Sequence, residues 1–191
     1  MADVWATRLL HGLSALFNDA ARSDFVVAVG GVEFKVYKHL LEIHSEFFAR
    51  MFASAAWTET TENRVEFPQF AAHPTAMEAV LRFCYSGELQ PVGDERELIA
   101  VFKIAHYFEL HDLLELCAKK AGDDFKVTNL FGWLPVAFEY DDEDAKAELL
   151  EFAVAHVVEF RRHPAYAAFA LEHPHIIAAL FERMVEEKEQ K

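Results

Sequence analysis

Basic side chains are scarce in this 191-residue chain: 18 Lys and Arg stand against 32 Asp and Glu, a formal net charge of −14. Such a surface repels phosphate backbones and anionic lipid unless its cations are gathered in a stripe, and no stripe is visible. Nucleic acid is therefore not an expected partner. Long apolar runs are missing too: nothing approaches the roughly 18–20 apolar residues that cross a bilayer, so no membrane association is expected, and MADVWATRLL lacks the basic-then-apolar order of a secretory signal. Cysteine is limited to Cys84 and Cys117, both inside apolar helical patterns. They read as buried thiols and not as a disulfide framework, and a cytoplasmic or nuclear protein is expected. Seven Gly and six Pro in a chain that is 53% hydrophobic predict a helix-rich, well-packed interior, not a disordered one. Its eighteen Phe make that core aromatic.

Motifs for chemistry are missing as well. Gly30-Gly31 is followed by no G-x-G-x-x-G and no lysine-bearing phosphate loop. The acidic run 141–144, DDED, is no calcium loop, because the sixth and twelfth places from Asp141 hold Lys146 and Phe152 where glycine and glutamate are needed. It reads instead as negative charge favouring a helix N-terminus. His106, His111 and Cys117 have no fourth ligand at zinc-like spacing, and there is no G-x-S-x-G nucleophile elbow. No catalytic residue, cofactor or metal is expected.

What the chain does contain is clear periodicity. Residues 5–17 carry Trp5, Leu9, Leu13, Leu16 and Phe17 along one stripe, an amphipathic N-terminal helix. FVVAV (25–29) and VEFKV (32–36) flank Gly30-Gly31, a two-residue hairpin signal. From Tyr37 the pattern is helical, with Leu40, Leu41, Phe47, Phe48, Met51 and Phe52 as buried candidates, broken where Ser45 caps a second helix at Glu46. RVEF (64–67) is a short strand stopped by Pro68, and a helix runs from Pro74 to a C-cap at Gly87. Helices over 97–107 and 113–121 are separated by a break around His111-Asp112. Beyond residue 122 only helices are readable, at about 128–140, 143–160, 165–171 and 175–188. Between Phe52 and the RVEF strand a tryptophan, Trp57, sits in a run of Ala, Ser, Thr and Glu. It reads either as a partner-facing anchor or as a lid folded back on Phe52 or Phe67.

Asp24-Phe25-Val26-Val27, the Gly-Gly hairpin, Phe34 and YKHLLEIHSEFFARMF resemble the BTB/POZ fold, in which the last run typically has a His-Lys pair, a leucine, a serine and an F-x-x-M-F ending. Tyr37 departs from that pattern, standing where the family usually has His. NRVEF, AVLRFCYSGEL and AHYFELHDLLELCAKK resemble the family's second half, and residues 122–191, with LEHPHIIAALFERM, resemble the BACK extension of the speckle-type POZ family. The resemblance implies an α+β BTB/POZ domain over 23–121, a dimerisation helix over 1–22 and an all-α BACK-like extension over 122–191.

In function it implies a non-enzymatic, homodimeric adaptor recruiting a cullin-3 ubiquitin ligase scaffold for substrate ubiquitination. The alternative is a self-assembling scaffold or transcriptional co-regulator without cullin binding. The partners implied are the cullin-3 N-terminal domain, a second copy of the chain and a substrate protein. Cullin-3 adaptors carry an apolar residue two places before a glutamate in this connection, which assigns Trp57 and Glu59 to cullin binding with support from Met51 and Phe52. Leu9, Leu13 and Leu16 are assigned to the dimer interface, with a charge pair between Asp24 and Lys38 at or beneath it. His175, Ile176 and Ile177 are assigned to a second self-association surface.

Overall fold

A computed structural model describes residues 2–53, 62–122, 125–141 and 143–189. The chain divides into two compact units, residues 1–121 and 122–191.

The first unit is built on a three-stranded sheet in the order β2–β1–β3. Strands β1 (Phe25–Val29) and β2 (Val32–Val36) are antiparallel, pairing Phe25 with Val36 and Val29 with Val32. Both glycines between them have positive φ, 57° at Gly30 and 81° at Gly31, as the two-residue turn requires. Strand β3 (Arg64–Glu66) runs parallel to β1, with Val27 opposite Val65. A parallel neighbour needs a crossover connection, which begins with helices α2 (Lys38–His44) and α3 (Glu46–Ala53).

Among the described residues the unit also contains α1 (Ala2–Ser14), a 3-10 turn over Pro68–Phe70, α4 (Pro74–Ser86), α5 (Glu95–Tyr107) and α6 (His111–Gly122). α4 starts on its proline and stops at Gly87, whose φ of 67° lets its amide bond the Phe83 carbonyl at 2.8 Å. Ser45 joins α2 to α3 as expected: its hydroxyl accepts from the Phe48 amide at 3.1 Å.

Three helix boundaries differ from the periodicity. α1 ends at Ser14 instead of running to Phe17, because residues 16–18 turn towards the sheet and the Asn18 amide bonds the Lys35 carbonyl at 3.0 Å. α5 begins at Glu95 and not Glu97, since Asp94 caps it by accepting from the Glu97 amide at 2.9 Å while the Glu97 carboxylate returns to the Gly93 amide at 2.6 Å. The break before α6 falls at 108–110 and not at His111-Asp112: Glu109 is left-handed, φ 56°, and its carboxylate receives two bonds from the Arg50 guanidinium at 2.8 and 2.6 Å. That guanidinium holds the Glu109 carboxyl below its usual range.

Among its described residues the second unit is helical: α7 (Val127–Glu139), α8 (Glu143–Ala155), α9 (Val157–Arg162), α10 (Tyr166–Glu172) and α11 (Pro174–Glu189). The span 143–160 is two helices and not one, interrupted at His156, whose ring stacks on Phe152 at 4.2 Å and bonds that residue's carbonyl at 2.9 Å. Leu130, Leu134, Ala153, Phe160, Phe169, Ile176 and Leu180 form the core, with Phe131 stacked on Phe160 at 4.7 Å. Glu143 and Asp144 lie in the first turn of α8, where negative charge meets the positive end of the helix dipole. Lys146 bonds back to Asp141 and Glu143.

The two turn glycines are not equivalent. A Cβ on Gly30 would lie 2.2 Å from the Ala71 carbonyl oxygen, whereas one on Gly31 would meet nothing within 4 Å. Gly31→Ala is expected to cost about 1–2 kcal/mol for its left-handed backbone alone, and Gly30→Ala about 2–5 kcal/mol once the steric clash is added. Urea unfolding of the two variants at neutral pH checks this; equal midpoints would show that the hairpin does not press on residue 71.

Candidate protein-interaction surfaces

α1 is held at one end and bare at the other. Phe17, just past its C-terminus, is buried against Phe34 at 6.2 Å and edge-on to Tyr85 at 5.4 Å, with the Arg82 guanidinium 4.4 Å above its ring. The Asn18 side chain also accepts from the Lys35 amide at 2.9 Å, so both backbone groups of Lys35 on the free edge of β2 are engaged. Towards the N-terminus Val4 is 75% exposed, Trp5 69% and Leu9 46%. Leu13 and Leu16 are half-buried within the protomer, so the open part of the stripe lies nearer the N-terminus than the three leucines suggest.

The expected ion pair between Asp24 and Lys38 is not formed. Asp24 instead accepts from the Lys38 backbone amide at 2.9 Å, capping the start of α2, which Tyr37 does not cap with its own side chain. The Lys38 ammonium turns to Asn63, 2.6 Å away. The Tyr37 amide donates to the Tyr85 hydroxyl at 2.8 Å, and burial pushes the Tyr85 phenol up to about 12.

Of the residues assigned to cullin binding, Trp57 and Glu59 lie outside the described residues. Met51 is 1% exposed, so it is part of the core and not of a contact surface. Phe52 is half-buried, edge-on to Phe25 at 4.8 Å and stacked on Phe48 at 5.8 Å. In the second unit only His175 of the three assigned residues is exposed. Ile176 is fully buried in the helical core and Ile177 packs against it, because the first turn of α11 faces Phe169 and Leu134 inward. Among the described residues of that unit the exposed large apolar side chains are Val158 (60%), Leu171 (84%), Phe181 (66%) and Val185 (41%). Their signal was in the sequence: Phe181 and Val185 are four apart, on a different stripe from the core pair Ile176 and Leu180.

The two thiols offer no nucleophile. Burial pushes both Cys84 and Cys117 up to about 12, which leaves them protonated at neutral pH. Among the described residues no three His, Cys, Asp or Glu side chains are grouped to hold a metal ion, and no helix is long and apolar enough to cross a membrane.

Comparison with known proteins agrees with this geometry. The BTB/POZ domain family matches residues 13–123, more than half of the chain. The BTB and MATH domain-containing protein 40 of Caenorhabditis elegans is 24% identical over 85% of this chain and 41% of its own length. The TD and POZ domain-containing protein 4 of Mus musculus is 23% identical over 91% of this chain and 46% of its own. The chain thus spans less than half the length of these curated relatives. Among solved structures, the BTB domain of zebrafish PATZ1 shares the fold, with a TM-score of 0.52 over 65% of this chain and 96% of that one at 20% identity. The chain belongs to the BTB/POZ family, and its first unit is that family's protein-interaction module.

Proposed function

We propose that this chain is a homodimeric adaptor that recruits a cullin-3 ubiquitin ligase scaffold and brings it to a substrate protein. Domains of this family self-associate and bind partners, and the observation that carries the dimer here is the bare apolar face of α1, with Val4, Trp5 and Leu9 in solvent beside an anchored C-terminal end. A relative named for a MATH domain beside BTB supports an adaptor, in which the BTB unit would act together with a second domain. In this reading Leu9 is the centre of the dimer contact, and Leu13 and Leu16 brace it from within the protomer. Asp24 and Lys38 act on the interface through the placement of α2. Trp57 is the cullin-facing anchor and Glu59 its polar companion, while Met51 and Phe52 hold the end of α3 from which that segment departs. A second symmetric contact, made by the BACK-like unit, involves His175 at its edge and Leu171, Phe181 and Val185 at its centre.

An isologous contact uses each side chain twice, and burying one such side chain is worth about 1.5–3 kcal/mol. Trp5→Asp with Leu9→Asp is therefore expected to withdraw roughly 6 kcal/mol or more, enough to convert a micromolar dimer to monomer at working concentrations. Sedimentation equilibrium checks this, and a dimer that survives both substitutions overturns the assignment.

Trp57→Ala is expected to lose about 2–4 kcal/mol of binding to the cullin-3 N-terminal domain, a thirtyfold to thousandfold change, with Glu59→Ala losing less and Thr58→Ala almost nothing. Were Trp57 a lid on the core, the same truncation would instead lower fold stability by about 3–5 kcal/mol. Calorimetric titration paired with a melting curve separates the two. A wild-type dimer that does not bind the cullin domain would favour a scaffold without cullin.

Two different symmetric contacts on one subunit generate open chains of dimers. Mass is therefore expected to rise with concentration for the wild type and to stop at the dimer for Phe181→Asp. A single dimer mass across a hundredfold concentration range in the wild type would show that this face makes no contact.

A further inference from the structure

We infer that Lys38 is a positioning residue that ties together the two ends of the stretch 54–61, which lies between α3 and the residues leading into β3. This deepens the adaptor reading and rests on it for its functional consequence, because that stretch carries Trp57 and Glu59.

Three contacts converge on one ammonium. Lys38 Nζ donates to the Asn63 Oδ1 at 2.6 Å, and it lies 5.3 Å from the Phe25 ring centre and 5.6 Å from that of Phe52. Phe52 is the penultimate residue of α3, just before the stretch, and Asn63 immediately precedes β3, just after it. Phe25 is a buried residue of β1 and gives the group a rigid floor. Asn63 is itself fixed, left-handed at φ 52°, with its carbonyl accepting from the Val26 amide at 2.9 Å. An ammonium suits this place because it is a compact cation with several donors, able to serve an amide oxygen and two ring faces together. Lys38 is held in turn: its own amide is bonded by Asp24, which leaves the side chain free to reach residues 52 and 63. Where the chain leaves α3 and where it enters β3 are thereby fixed against each other. A docking segment that starts and ends on fixed points gives up less conformational freedom on binding.

The test uses the full chain in four forms: wild type, Lys38→Met, Lys38→Arg and Asn63→Gly. Met keeps the aliphatic stem without the charge, Arg keeps a donor and a cation, and Gly keeps the positive φ while deleting the amide acceptor. Hydrogen exchange of peptides covering residues 52–63 is read alongside melting temperature and affinity for the cullin-3 N-terminal domain, with Trp57→Ala as the binding control. Lys38→Met and Asn63→Gly are expected to speed exchange in 52–63 by about tenfold, the loss of one charge-assisted hydrogen bond, with affinity falling in parallel. Melting temperature should fall by only a few degrees, the shift that a tenfold change in a native-state equilibrium implies for a domain of this size, and Lys38→Arg should be close to wild type. Unchanged exchange in Lys38→Met overturns the inference, whatever the cullin result, and so does loosening that spreads equally through α2 and β1. If exchange responds as expected but the wild type does not bind the cullin domain, the adaptor reading falls and the positioning role stands. If Trp57→Ala abolishes binding while Lys38→Met binds as wild type, the positioning role falls and the adaptor reading stands.

Discussion

The hydroxyl of Ser45 donates to the Phe108 carbonyl at 2.6 Å while accepting from the Phe48 amide at 3.1 Å, and the first of these bonds joins parts of the chain 63 residues apart. Ser45 is the buried polar side chain of a core otherwise lined by apolar groups. A hydroxyl left unbonded in such surroundings costs several kcal/mol, so the α2–α3 junction and the α5–α6 junction must meet for the core to close. Outside this bond, Arg50 reaches Glu109 with both guanidinium nitrogens and repeats the same connection at the surface. The α2–α3 pair and the α5–α6 junction are therefore registered by one buried hydrogen bond and one bidentate ion pair.

Around that bond the aromatic side chains find their places. Phe48 lies 4.7 Å from Phe108, Phe67 lies 5.0 Å from Phe108, and Phe47 reaches both Phe108 and Tyr107. Offset and edge-on rings fill volume densely without demanding polar partners, which suits a chain with eighteen Phe. The same packing decides which apolar residues remain for partners. Met51 and Phe48 are consumed by the core, while towards the N-terminus of α1, away from the anchor at Phe17 and Asn18, Val4, Trp5 and Leu9 are left exposed.

The charge distribution follows a similar logic. Carboxylates are spent on backbone amides and on fixed cations: Asp24 on the start of α2, Asp94 on the start of α5, Glu109 on Arg50. Because Asp24 serves a backbone group, Lys38 is released from the pairing that the family resemblance implies and becomes the link between residues 52 and 63.

Much of this was legible in the sequence, because it depends on neighbours within a few residues. The Gly30-Gly31 turn, the Ser45 cap, the Pro74 start and the Gly87 stop each follow from local backbone chemistry, and Asp94 with Glu97 was a readable cap that apolar periodicity alone overlooked. The spaced BTB motifs carried the fold for the same reason, since order and spacing survive without coordinates. Only the tertiary structure decided what depends on distant partners. It put Ala71 against Gly30, Asn63 beside Lys38 and the Phe108 carbonyl on Ser45; it placed Ile176 and Met51 inside and Phe181 outside; and it split the 143–160 helix at His156. An apolar stripe announces that a helix has a face to cover, but whether that face meets the chain's own core or solvent is settled by residues far away in sequence, through the packing that uses up one stripe and leaves the other.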